Sequence, residues 1–185
     1  MQALTSQGEI VELPKFKYHP DPLATEAIKV SDEECECCGK ARGYIYNSNI
    51  YAEDEIEFIC PWCIADGTAA KKFDGMFSDD YPLQEAGISQ EIIDEVCLRT
   101  PGYNSWQQEV WQTHCSDACE FHGDVEKEEI EKLSGQALES FLKEEMIKKD
   151  LWQNILNNYE KGGNPAIYKF VCRKCSEIIY TMDFT

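Results

Sequence analysis

A chain of 185 residues, 43% apolar and 11% aromatic, has enough nonpolar material for one packed domain, which excludes wholesale disorder. Its 35 acidic against 17 basic residues give a formal charge of −18. Such a surface repels phosphate backbones and anionic membranes, so neither nucleic acid nor lipid is an expected partner.

No basic segment followed by an apolar run opens the chain, and no stretch approaches the ~20 apolar residues that a membrane helix needs. The cytoplasm is therefore the expected compartment, where ten cysteines read as thiols or metal ligands rather than disulfides.

In chain order, residues 1–13 read as a loose leader ahead of a single domain over 14–185. "PKFKYHPDP" (14–22), rich in proline and aromatic residues, is expected to lie extended over a surface with His19 facing solvent. "CECCGK" (35–40) has the form of a metal knuckle. The β-prone runs "GYIY" and "IYAE" flank Asn47-Ser48-Asn49 and predict a hairpin, with a further strand at 56–59. A short helix is expected after Cys63. Ser89 is placed to cap a helix carrying Ile92, Ile93 and Val96 on one side, with Cys97 in the core and Arg99-Thr100-Pro101-Gly102 as its stop. Ser105-Trp106-Gln107-Gln108 matches a capping box and predicts a second helix running towards Cys119. A long helical stretch at about 124–161 follows, with Leu138, Phe141, Leu142, Trp152, Ile155, Leu156 and Tyr159 at helix spacing. The end, "IYKFVCRKCSEIIYTMDF", predicts two strands with a Cys-x-x-Cys turn at their tip. These elements add up to an α+β domain of zinc-ribbon-like short hairpins with packed helices.

The cysteines carry the chemistry. Two residues between thiolates let one turn present both sulfurs to one ion at about 2.3 Å. Cys35-x-x-Cys38 and Cys60-x-x-Cys63, 21 residues apart, predict a four-cysteine zinc site. Cys37 leaves the register open, since it could replace Cys35 or Cys38. Cys115 and Cys119, one turn apart on the expected helix, would complete a second site with Cys172 and Cys175. His122 is an alternative to Cys115, and His114 a weaker candidate. One or two Zn2+ per chain are thus expected. Four cysteines also suit an iron–sulfur cluster, but no clustered three-cysteine run is present.

Two enzymatic alternatives stand beside a non-enzymatic, zinc-stabilised binding role with a protein partner of unknown identity. Strand, Cys60-Pro-Trp-Cys63, helix is the order of a thiol–disulfide oxidoreductase, and Thr100-Pro101 falls where such a fold places a cis-proline. Glu120 beside Cys119 and His122 would be the place for a zinc hydrolase.

"PKFKYHPDP", the Cys-x-x-Cys-Gly-Lys knuckle, "YAEDEIEFICPWCIADGTAAKKF", "RTPGYNSWQQEVWQTHCSDACEF" and "YKFVCRKC" resemble, in order, the CbrC family of small bacterial proteins. The resemblance implies a role in colicin tolerance with no established reaction. It also favours Cys115 over His122 as a ligand, because relatives usually carry an apolar residue at the His122 position.

Overall fold

In the computed structural model, which describes residues 2–4, 8 and 10–185, short antiparallel pairs alternate with short helices. β1 (Gln2–Leu4) pairs with β2 (Ile10–Glu12) inside the stretch expected as a leader. The rest of that leader, residues 1, 5–7 and 9, lies outside the described residues. β3 (Ile28–Val30) pairs with β4 (Tyr44–Tyr46). Then come α1 (Pro61–Ala65), α2 (Thr68–Phe73), α3 (Tyr81–Glu85) and α4 (Gln90–Arg99). A two-residue turn joins β5 (Thr113–His114) to β6 (Asp117–Ala118). β7 (Glu120–Asp124) leads into α5 (Lys127–Ile130), α6 (Gly135–Glu144) and α7 (Lys149–Asn158). β8 (Ala166–Val171) and β9 (Ile178–Asp183) close a three-stranded sheet of order β7-β8-β9. The α+β class with short hairpins is as the sequence predicts. No described helix is long and apolar enough to cross a membrane.

Three buried clusters hold these elements together. Leu13, Phe16, Ile28, Tyr44, Ile59 and Ile64 surround Cys35, Cys60 and Cys63. The second cluster centres on Phe121, whose ring stacks on Tyr103 at 4.0 Å, with Trp111 and Phe170 packed around it. The third buries Phe141, Leu142, Trp152 and Tyr159 of the helical stretch near Ile167 of β8. The helical stretch comprises α5, α6 and α7, broken where Gly135 and Met146 take positive φ.

Four local expectations need correction. The hairpin about Asn47 does not form. All three residues of β4 are buried, so the strand is covered on both faces and pairs inward with β3. Tyr51 instead bridges Met76. No strand forms at 56–59, because its carbonyls serve two different segments: Phe58 O accepts from Glu36 N and Ile59 O from Tyr46 N. The helix expected from Ser105 is absent, since its side chains and first amides are committed elsewhere. Trp106 N donates to the Asp183 carboxylate and its indole to Gly163 O, Gln107 reaches Phe184 O, and buried Glu109 accepts from Tyr51 Oη and Asp79 N. His19 is fully buried rather than solvent-facing. Its Nδ1–H donates to Pro101 O (2.8 Å) and its Nε2 accepts from Thr25 Oγ1 (2.6 Å), tying the 14–22 segment to the Arg99–Gly102 loop.

Candidate metal centres

The first centre is built from a knuckle and a helix start. Cys35 N donates to Lys40 O and Gly39 N to Cys35 O, closing a turn in which Gly39 sits at φ +66. An L side chain is disfavoured there, which is why glycine follows the second cysteine. Outside the turn, the Glu36 carboxylate accepts from Glu57 N and Phe58 N, both at 2.8 Å. Lys72 Nζ caps Glu36 O and Cys37 O. These bonds align the knuckle with Cys60, the N-cap of α1, and Pro61 sets φ for the first helical residue. The sulfurs of Cys35, Cys38, Cys60 and Cys63 thereby lie within 4.8 Å of one another.

Cys38 and Cys60 sulfurs are 3.9 Å apart. Around a tetrahedral zinc with ~2.3 Å bonds, neighbouring sulfurs stand ~3.8 Å apart, so the edge fits the ion. Cys35, Cys60 and Cys63 are buried and Cys38 is half-buried. Cys37, whose part the sequence leaves open, lies outside this set, with its sulfur 3.8 Å from Thr68 Oγ1. Trp62 lies against the same cluster and carries the Arg42 guanidinium over its ring.

The second centre joins two hairpin tips. Cys115 and Ser116 form the two-residue turn between β5 and β6, with φ of +53 and +54. Paired left-handed residues are what a type I′ turn requires, and non-glycine residues there are costly. The turn presents His114 and Cys115 side by side. Opposite them, the β8–β9 turn repeats the bonds of the first knuckle, with Cys172 N to Glu177 O and Ser176 N to Cys172 O. Lys174 Nζ joins the two tips through Cys115 O (2.9 Å). His114, Cys115, Cys172 and Cys175 bring their donor atoms within 4.8 Å of one another. The Cys115–Cys175 sulfur separation is 3.8 Å, again a tetrahedral edge. His114 Nδ1 stands 3.3 and 3.2 Å from those two sulfurs, a little inside the ~3.6 Å expected around zinc.

In each knuckle, backbone amides favour the thiolate form of one cysteine. Burial alone would raise the Cys35 thiol, but N–H groups of Cys60, Cys38 and Cys37 outweigh it and hold it below its ordinary value. Likewise Cys172, buried, is brought down to about 6 by the amides of Cys175 and Lys174 with help from His114. Its neighbours move the other way. Cys60 is pushed up to about 12, by burial first and then by the nearby Cys35 charge, and burial also raises Cys63. Cys115, fully exposed, is raised to about 11, first by its bond with Cys175. A divalent cation placed among the sulfurs reverses that repulsion and favours every thiolate at once.

The structure thus brings together seven of the eight expected ligands: Cys35, Cys38, Cys60 and Cys63 in one set, and Cys115, Cys172 and Cys175 in the other. Cys119 is not among them. It is buried against the second cluster, with its N–H on Gln112 O and its carbonyl accepting from the Trp111 indole. The spacing argument for Cys119 needed a helix, and without one residues 115 and 119 no longer share a face. His114 takes the fourth corner. Ser116, an ordinary turn residue between Thr113-His114 and Asp117-Ala118, was the available sign of a hairpin. His122 is exposed on β7, 3.5 Å from Glu120, and belongs to neither set. Cys97 is buried in the core, as expected.

Fold and sites define an α+β protein built around two four-residue sets of soft ligands able to hold metal ions. The chain belongs to the uncharacterised protein family UPF0167, whose model matches residues 13–184. A UPF0167 protein of Pseudomonas aeruginosa is 49% identical over 175 residues, covering 94% of this chain and 98% of its own length. UPF0167 proteins of Mycobacterium bovis and Mycobacterium tuberculosis are each 36% identical over 176 residues, covering 94% of both chains. No solved structure matches the chain significantly. Family membership corrects the CbrC resemblance. The matching model and the curated relatives carry the UPF0167 name, so neither the CbrC assignment nor the colicin tolerance it implied stands.

Proposed function

We propose that this is a non-catalytic zinc protein: both ligand sets hold Zn2+, and the surface they fix engages a protein partner. The observation that carries this reading is the closeness of each set, four soft donor atoms within 4.8 Å. Thiolate and imidazole favour zinc over the hard cations magnesium and calcium. Four protein ligands are the coordination of structural zinc, whereas catalytic zinc keeps a position open. A thiol–disulfide oxidoreductase at Cys60 and Cys63 is disfavoured, because both cysteines are buried and their sulfurs cluster with those of Cys35 and Cys38, whereas a redox thiolate needs solvent access. Seven thiolates and two dications would take the formal charge from −18 to about −21, which suits a basic protein partner and repels nucleic acid.

Metal analysis and thiol labelling of the full chain, purified under reducing conditions, test this reading. The expected result is two zinc per chain, with Cys37 alkylated first and the seven ligand cysteines protected. A zinc-free protein whose Cys60 is alkylated rapidly would overturn it in favour of redox chemistry.

A further inference from the structure

The two centres differ in how they meet solvent. In the first, Cys35, Cys60 and Cys63 are members of a hydrophobic cluster, so an ion there sits inside the core. In the second only Cys172 is buried, and Cys115 and Cys175 are exposed. His114 lines a groove of about 1110 Å³ that runs between α6 and β9, past Phe141 and Tyr180. An incoming ligand can reach an ion at this centre both over the exposed sulfurs and along the groove.

The second centre also has a scaffold of its own. The β5–β6 tip is fixed by Cys119 N on Gln112 O and by the Trp111 indole on Cys119 O. The opposing tip is fixed by Cys172 N on Glu177 O, and Lys174 ties the two together. None of these bonds passes through the ligand side chains. The cysteine that reaches the ion from the first tip sits at φ +53 beside another left-handed residue. Backbone held in so sparsely populated a region is concentrated at functional sites.

From exposure, scaffold and groove together we infer that the centres divide their work. The Cys35–Cys63 centre is a permanent structural site, and the His114–Cys175 centre is an exchangeable zinc site that releases its ion to an acceptor. The acceptor class is a thiol- or imidazole-bearing ligand, which displaces the protein donors stepwise from the exposed side. Zn2+ leaves with its charge, the thiolates of Cys115, Cys172 and Cys175 take up protons from water or a replacement ion, and no electron moves. This inference rests on the two-zinc reading above.

The test is release of zinc from the folded full chain to the chromophoric chelator 4-(2-pyridylazo)resorcinol, followed together with circular dichroism. One zinc is expected to leave in a fast phase with the spectrum unchanged, and the second only on unfolding. Cys175→Ser and, separately, Cys115→Ser should abolish the fast phase and keep the slow one. Two zinc ions that leave at one rate, or a first release that unfolds the chain, would overturn the division of work while leaving the two-zinc reading intact. Fewer than two zinc per chain after incubation with excess Zn2+ and desalting would refute that reading and this inference with it.

Discussion

The buried imidazole of His19 makes the chain sensitive to acid through a single identifiable group. Its ring is fully buried, set edge-on against Phe121, with Nδ1–H on the Pro101 carbonyl and Nε2 accepting from Thr25. Both bonds suit the neutral ring, and charging it would break the Thr25 donation. Burial is the main cause that lowers its pKa from 6.5 to about 4, against the Pro101 bond and the Asp21 charge, which act to raise it. The unfolded chain therefore binds the proton first as pH falls. Stability from the neutral ring is complete above about 6.5 and is lost through the window down to about 4. At ~1.4 kcal/mol per pH unit, the displacement is worth ~3 kcal/mol. The assay is urea unfolding of zinc-saturated protein across that window, comparing the natural chain with His19→Asn. Asparagine can still donate to Pro101 O but does not titrate. Proton competition for zinc affects both proteins equally, so the difference between them isolates the ring. The natural chain should lose ~3 kcal/mol more than the variant. Parallel curves would refute the assignment of a neutral, desolvated imidazole.

Four further substitutions probe the loop glycines and the first knuckle. A Cβ at Gly102 would meet the Phe77 carbonyl oxygen and the Tyr46 hydroxyl, so Gly102→Ala should cost at least ~2 kcal/mol by thermal melting. Gly87→Ala, where the added methyl meets open space and only a positive φ opposes it, should cost ~1 kcal/mol. At the first centre, Cys38→Ser should remove one zinc per chain by metal analysis, whereas Cys37→Ser should leave two. The reverse result would mean that the knuckle is shifted by one residue.

Knuckles were the most legible part of this sequence because their chemistry is local. Cys35-x-x-Cys38-Gly39 and Cys172-x-x-Cys175 each form one turn whose bonds run within six residues, so spacing alone places the sulfurs. The start of α1 at Cys60 was equally plain from the cysteines and Pro61. What the sequence hid was decided by distant partners. Ser105–Gln108 carries a capping pattern, yet residues 106–108 spend their polar groups on Gly163, Asp183, Phe184 and Asp79, and no helix results. With a hairpin in place of that helix, Cys119 no longer shares a face with Cys115, and His114 lies beside Cys115 instead. Tyr44–Tyr46 similarly took Ile28–Val30 as its partner, since burial on both faces outweighed a nearby turn.

The two centres start from the same device and end in different environments, and the difference lies in what faces each knuckle. The knuckle bond pattern at 35–40 is repeated at 172–177, and in both the amides around the first cysteine favour its thiolate. Against the first stands the start of α1, whose Cys60 and Cys63 are embedded among Ile59, Ile64 and Phe77. Removing an ion there would leave the amide-favoured Cys35 thiolate without its cation and make Cys60 and Cys63 take up protons inside an apolar cluster, where an uncompensated charge is costly. Against the second stands a two-residue turn at the surface, where the same sulfurs can be resolvated. Metal loss should therefore couple to unfolding at one centre and separate from it at the other.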